Sequence, residues 1–327
     1  RDLDWGVEIP IDRLPENLRI QDVSSKRIYV WFEAVIGYFS ASVEWAELHN
    51  RDFKDFWYNK DALHAYFMGK DNLVFHTLFW PGELYGYDEK IHLPDLPVIN
   101  QFLNVEGQKF SKSRGITIDS AYIVETYGLD TVRFYLALID PENADANFSW
   151  TDFIGKNNDI LIGNFGNFIN RTLTLANGLE FDGAAIDADF VAKILVLVKE
   201  TKRALAAVEF KRYAETILAI SDLGNKYLSV TEPWFLKEKD PKKFKTVIQN
   251  ALFSVLALLL VVKPLIPDSA EELSKLLGVE FKFWPEDEFA ALKKLLIEVK
   301  VNDIKPLFKK LDYKVAEFER SKLNLPK

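Results

Sequence analysis

Gly107-Gln108-Lys109-Phe110-Ser111-Lys112-Ser113-Arg114-Gly115 sets two glycines around three cations and two hydroxyls. Glycine lets a backbone turn tightly and approach a ligand closely. Ammonium groups, hydroxyls and backbone amides are the donors that grip phosphate oxygens. A merely solvated loop has the same composition, so the flanks decide. An apolar run, Leu96 to Val105, precedes the stretch, and a helix-like segment, Tyr122 to Leu138, follows it. The loop is therefore expected to sit between ordered elements, with Asp119 or Ser120 capping the helix beyond it.

Upstream, strand-like and helix-like pieces alternate. Ile28 to Phe32 is β-rich, Ala65 to Met68 is a second apolar run, and Pro94 to Leu103 is a third strand candidate. Such alternation predicts an α/β layer with a parallel sheet, whose ligands sit at the carboxyl ends of the strands. No G-x-G-x-x-G or G-x-x-x-x-G-K-[ST] pattern occurs, which removes the dinucleotide and P-loop readings. In Phe67-Met68-Gly69-Lys70-Asp71-Asn72 a strand ends in a glycine turn, and Asp71 or Asn72 is placed to cap a helix from Leu73 to Leu84. Asn72, His76 and Trp80 recur every four residues and share one face of it. That face suits either a satisfied core histidine or a ligand.

Downstream of Trp150 the pattern becomes one of long helices. The expected helices are Thr151 to Ala176, Phe190 to Phe210, Tyr213 to Leu228, one around Phe253 to Val262, and Ser269 to Leu277. Five helices with short connections predict a bundle. Asn164, Asn167 and Arg171 form a polar stripe on the first of them. Trp234 follows Pro233 at a helix end, where an indole is either a core anchor or an exposed platform. After Pro306, Leu307, Leu311, Val315 and Phe318 fall on one helical face, which predicts a docking helix.

The bulk numbers set limits. A chain of 327 residues, 48% hydrophobic and 28% charged, is long enough for two or three domains with real cores. The absence of cysteine excludes disulfides and thiolate metal sites within it and fits a reducing compartment, so the expected location is the cytoplasm. The apolar run Ala251 to Val262 is too short for a bilayer and reads as a buried helix, with no membrane partner expected. A net charge of −8 argues against indiscriminate nucleic-acid binding and leaves room for a local basic track.

Four blocks resemble the methionyl-tRNA synthetase family of class I aminoacyl-tRNA synthetases. The glycine-bracketed loop is similar to that class's KMSKS loop, with Phe110 in the methionine position. Tyr29-Val30-Trp31-Phe32-Glu33-Ala34-Val35-Ile36-Gly37-Tyr38 resembles the family segment written YVWxDAPIGY, with Glu33 for Asp and Val35 for Pro. Phe67 to Pro81 and Trp5 to Pro10 resemble two more of its blocks, in the family's order. The fold so implied is the second half of a Rossmann-like α/β catalytic domain followed by an all-α anticodon-binding bundle. Its expected parts are residues 1–100 (catalytic half), 101–150 (KMSKS loop and stem-contact unit), 151–290 (bundle) and 291–327 (docking helix).

The resemblance implies ATP-dependent activation of methionine, with Mg2+, and transfer to tRNA(Met). It gives catalytic roles to Lys109 and Lys112, the second lysine stabilising the pyrophosphate leaving group. Glu8, Asp71, Ser111, Lys112 and Ser113 become ATP contacts. Trp31, Ala34, Val35, Tyr38, Asn72, His76 and Trp80 become the methionine pocket, suited to a polarizable thioether. Asn167, Arg171, Pro233 and Trp234 become the anticodon contacts, since RNA loops are read by stacking and by hydrogen bonds to base edges. The family's H-x-G-H element is not formed by His49, His64, His76 or His92, and its zinc insertion lies upstream, so no metal site is expected in this chain. The chain opens without Met and is expected to be a fragment, a processed product or one subunit of a split enzyme, inactive without an amino-terminal half. The alternatives are a class I synthetase for another aliphatic amino acid and a non-catalytic tRNA-binding or assembly module.

Overall fold

In the computed structural model, residues 3–19, 23–183 and 186–325 are described. The fold divides into two compact units between Phe102 and Leu103.

In the first unit, strands β1 (Ala65–Gly69) and β2 (Leu96–Asn100) pair in parallel, from Ala65 opposite Leu96 to Gly69 opposite Asn100. The connection carries the helix Trp80–Tyr87, which makes a βαβ unit. Val35, Trp57, Trp80, Leu84 and Ile91 form its small core. The β-rich segment at Ile28–Phe32 is not a strand. Residues Val30–Ala34 turn into a short helix in which the Tyr29 carbonyl accepts from the amides of Phe32 and Glu33. Strand preference expresses packing on a pleated surface, and neither described strand offers these residues a partner edge. The helical path expected from Leu73 is also mixed in kind. A 3-10 turn at Lys70–Asn72, entered at Gly69 without a side-chain cap, leads to a π turn at Phe75–Phe79 and then to the α-helix. Pro81 has no N–H to give the carbonyl four residues back, so the ladder loosens just ahead of it.

In the second unit, β3 (Leu103–Val105) lies between antiparallel β4 (Gln108–Lys109) and parallel β5 (Ala146–Phe148). Glu106 and Gly107, with φ of 49° and 75°, make the two-residue turn between β3 and β4. Asp119 caps the next helix by accepting from the Tyr122 amide. The helix expected from Tyr122 to Leu138 is two, Ser120–Tyr127 and Leu129–Leu138, broken at Gly128 where φ is +89°.

The bundle follows. Its first rod runs through Trp150–Gly155, a π stretch Lys156–Gly166 and Asn167–Ala176, entered at Ser149. The helices Ala188–Ala206, Phe210–Thr231, Pro241–Val262, Pro267–Leu277 and Glu288–Glu298 pack around it. A Cβ on Gly224 would meet the Phe168 ring at 2.2 Å, so glycine is what lets these two helices touch. Helix Pro241–Val262 has 22 residues, long and apolar enough to cross a membrane, yet 89% of its most apolar window is buried inside the fold. It is the bundle's central helix.

The docking helix expected from Leu307 to Phe318 is only partly helical. Helix begins at Lys314 and ends at Ser321, and the residues before it run as an irregular strap. Buried Asn157 and Asn158 explain this. Asn158 donates to the Leu311 carbonyl at 2.8 Å and accepts from its amide at 3.0 Å, while Asn157 donates to the Lys309 carbonyl. Backbone groups held by those amides cannot also serve a helical ladder.

Candidate active-site and RNA-binding residues

In the first unit, helix Gly37–Leu48 brings Tyr38 against the π turn that carries His76. The His76 Nδ1 lies 2.9 Å from the Asn72 carbonyl, which can only accept, so the proton of the neutral ring sits on Nδ1. Nε2 then accepts from the Tyr38 hydroxyl at 2.8 Å. Trp80 donates its indole N–H to the Tyr66 hydroxyl at 3.0 Å, and the Tyr38 and Tyr66 rings meet edge to face with centroids 5.1 Å apart. Tyr38, His76 and Trp80 are thus brought together, with Tyr66 on β1 completing a polar-tipped aromatic cluster. Asn72 joins through its carbonyl. Trp31, half exposed, lies beside Phe75 at 6.2 Å between centroids, and Ala34 is exposed. Val35 is buried in the core beneath.

A cavity of about 310 Å3 opens on the same helix, lined by Ile36, Phe39, Trp80, Glu83, Leu84 and Tyr87. Both carboxylate oxygens of Glu83 are buried without a hydrogen-bond partner, and burial pushes its carboxyl above the usual range. Because the folded value is raised, the group stabilises the fold below the ordinary glutamate value of about 4.3 and loses that contribution as pH rises through the folded value. Glu83→Gln, uncharged throughout, is expected to raise the melting temperature at pH 7, with the gain closing as pH falls toward ~4. Equal melting temperatures at pH 7 would show that the carboxylate is solvated or paired.

Asp71 is exposed on the 3-10 turn that follows β1. Glu8 is exposed, with Arg27 3.4 Å from its carboxylate.

In the second unit, Lys109 ends β4 opposite Asn104, and the chain then doubles back. The amides and carbonyls of Ser111 and Ile116 exchange hydrogen bonds of 2.9 and 3.0 Å. The Gly115 amide donates to the Lys112 carbonyl, and the hydroxyls of Ser111 and Ser113 lie 3.2 Å apart. Lys112, Ser113 and Arg114 stand exposed at the tip. This closed turn presents Lys112 to solvent on a base fixed at both ends.

On the bundle, Glu232 adopts a left-handed conformation (φ 44°) that ends one helix and starts the next, Pro233–Lys239. Pro233 is buried, while Trp234 is 42% exposed with the Arg171 guanidinium 5.4 Å from its ring centroid. Asn167 is exposed one helical turn before Arg171. Asn164, on the same stripe, is committed to the fold. Its amide donates to Asp222 at 2.5 Å and accepts from Asn225 at 2.9 Å and from Ser221.

Sequence reasoning missed Tyr66, Glu83 and the exposed Phe235 beside Trp234. Alternation along β1 marks Tyr66 as facing away from Phe67, and no other sequence signal distinguished them.

The model for class I tRNA synthetases (M) matches residues 1–173, and the model for the anticodon binding domain of methionyl tRNA ligase matches residues 181–322. A methionine–tRNA ligase of Chloroflexus aggregans is 38% identical over 303 residues, 85% of this chain and 49% of that protein. One from Bacillus cereus is 34% identical over 327 residues, 99% of this chain and 57% of that protein. The chain therefore spans 49% to 57% of the length of these curated relatives. The crystal structure of apo Mycobacterium tuberculosis methionyl-tRNA synthetase covers 94% of this chain and 59% of its own, with a TM-score of 0.70 at 24% identity. The complex of that enzyme with methionyl-adenylate matches equally well. At that identity the likeness establishes the fold.

Proposed function

Since the chain belongs to the class I methionyl-tRNA synthetase family, we propose that it is the carboxyl-terminal portion of a methionine–tRNA ligase, activating methionine as its adenylate and passing it to tRNA(Met). The observation that carries the reading is the coexistence, in one chain, of the exposed lysine turn and a bundle matching the methionyl anticodon domain.

Lys112, with Lys109, neutralises charge that develops on the departing pyrophosphate, and Ser111 and Ser113 hold phosphate oxygens. Catalysis of this kind is positioning and charge stabilisation at phosphorus. Asp71 and Glu8 accept hydrogen bonds from the ATP ribose. The cluster of Tyr38, His76 and Trp80, with Trp31, Ala34 and Asn72 beside it and Val35 in the core beneath, takes the thioether. Mg2+ enters with ATP as part of the substrate. Among the described residues no group of three or more His, Cys, Asp or Glu gathers to hold a metal. Asn167, Arg171, Pro233 and Trp234 read the anticodon. We propose the four-part division at residues 100, 150 and 290 as a functional partition, with the bundle helix Glu288–Glu298 running across the last boundary, and we assign the protein to the cytoplasm.

An amino-terminal half, on the same polypeptide or another, supplies the ATP-steadying histidines. The open sheet supports this. Parallel sheets are normally covered on both faces, and two strands alone are marginal in water. In this unit β1 pairs only with β2 among the described residues, and Phe67, Val74 and Leu78 are 57%, 49% and 63% exposed. A partner half that completes the sheet buries them.

The test is a fluorescence titration of the chain with tRNA(Met) and with a tRNA for another amino acid. We expect a preference of about tenfold or more for tRNA(Met), equivalent to roughly 1.4 kcal/mol. Equal affinity would reduce the bundle to a general RNA surface.

A further inference from the structure

The carboxyl-terminal segment from Glu319 to Asn324 meets the lysine turn at both of its ends and, between them, the helix that follows the turn. Arg320 Nε lies 3.2 Å from Glu106, at the turn that opens the loop, and the other oxygen of Glu106 accepts from the Trp150 amide at 2.8 Å. Asn324 donates its amide to the Gly115 carbonyl where the loop closes. Its side chain packs so closely there that a methyl on Gly115 would lie 2.5 Å from Nδ2. Between the two, Glu319 is 3% exposed and a single carboxylate oxygen accepts from the hydroxyls of Tyr122 and Tyr127, each at 2.6 Å. Lys322 completes the group, 2.9 Å from the same oxygen and 2.6 Å from the Tyr122 hydroxyl. Tyr122 and Tyr127 belong to the helix that leaves the loop, and Leu323 shares a core with Ile116.

We propose that residues Glu319 to Asn324 clamp the base of the lysine turn, with Glu319 as a positioning residue that sets where Lys112 stands. The proposal rests on the ligase reading for its catalytic consequence and on geometry alone for the clamp. Both ends of the loop are tied to one short segment, while Lys112, Ser113 and Arg114 at its tip remain exposed. Removing the carboxylate leaves two half-buried phenol hydroxyls without their acceptor and frees the helix that follows the loop. Burial alone would push the Glu319 carboxyl up, but the two hydroxyls and the ammonium outweigh it and hold it below the usual range.

The experiment is amide hydrogen exchange on the 327-residue chain with Glu319→Ala, Glu319→Gln and Arg320→Ala. It is followed by methionine-dependent pyrophosphate exchange in the enzyme containing both halves. Glu319→Ala is expected to speed exchange at Ser111 and Ile116 by about tenfold or more while helix Pro241–Val262 is unchanged. Glu319→Gln, which keeps an acceptor oxygen, restores most of the protection. In the enzyme, kcat falls by roughly tenfold with KM for methionine unchanged. Unchanged loop exchange in folded Glu319→Ala would overturn the clamp. If that variant unfolds throughout, Arg320→Ala, at an exposed position, carries the same test at Glu106. Faster loop exchange with normal kcat would overturn the positioning role. Faster loop exchange in a chain whose unsubstituted enzyme shows no pyrophosphate exchange would instead sink the ligase reading and leave the clamp standing.

Discussion

Lys112→Ala, in the enzyme containing both halves of the nucleotide fold, is expected to slow methionine activation by about a hundredfold or more, at unchanged methionine affinity. Lys112 stands at the tip of a turn whose base is pinned by the Ser111–Ile116 hydrogen bonds, so little entropy is lost in aiming it. A preorganised charge acting only on the developing pyrophosphate lowers the barrier without tightening the ground state. The effect therefore falls on kcat. Arginine at this position keeps the charge but presents a planar fork in place of a compact ammonium, so Lys112→Arg should recover the rate only in part. Pyrophosphate exchange at saturating methionine and ATP measures it, and an undiminished rate would make the turn a structural element alone.

Trp234→Ala should weaken tRNA(Met) binding by roughly 1–3 kcal/mol, the usual worth of one base stacked on an aromatic ring. The indole is 42% exposed, whereas its neighbour Pro233 is buried and anchors the turn. An exposed ring adds little to the bundle, so the melting temperature should barely move. A core indole would behave oppositely, with truncation costing about 3–5 kcal/mol of stability. Arg171 lies 5.4 Å from the ring centroid, and on the proposed reading it steadies the platform and offers donors to a base. Asn167→Ala and Arg171→Ala should lose affinity more on the cognate anticodon than on an altered one. Equal losses on both RNAs would mean phosphate contacts, and a large fall in melting temperature for Trp234→Ala with normal affinity would reverse the assignment.

Much of the fold was legible in the sequence for physical reasons. Period and punctuation marked the parallel βαβ unit, since Gly69 ends β1 and the connection to β2 is long enough to hold a crossover helix. The lysine turn announced itself by its two glycines, and Gly115 does take a left-handed φ of +68°. The long bundle helices followed their apolar spacing, though the one expected from Tyr213 to Leu228 runs from Phe210 to Thr231 and the one around Phe253 to Val262 begins at Pro241. What failed was reading that depended on partners far away in the chain. Val30 to Phe32 have strand-forming side chains and become helix where no described strand pairs with them. Leu307 and Leu311 have helical spacing, but Asn157 and Asn158, some 150 residues earlier, hold that backbone out of a helix. Glu319 gave no local signal either, because its acceptor role needs hydroxyls 192 and 197 residues away. The roles of the individual lysines, aromatics and bundle residues were carried by resemblance; Tyr38, His76 and Trp80 lie together, whereas Val35 is buried in the core beneath them.

Methionine-dependent exchange of pyrophosphate into ATP tests the central claim most directly, run on the 327-residue chain alone and then with the complementary amino-terminal half of the nucleotide fold added. The account predicts no exchange from the chain alone, because none of His49, His64, His76 and His92 forms the ATP-steadying pair, and methionine-specific exchange once both halves are present. Robust exchange by the chain alone would contradict the divided site. No exchange from the two together, with both folded and bound to each other, would contradict the ligase itself.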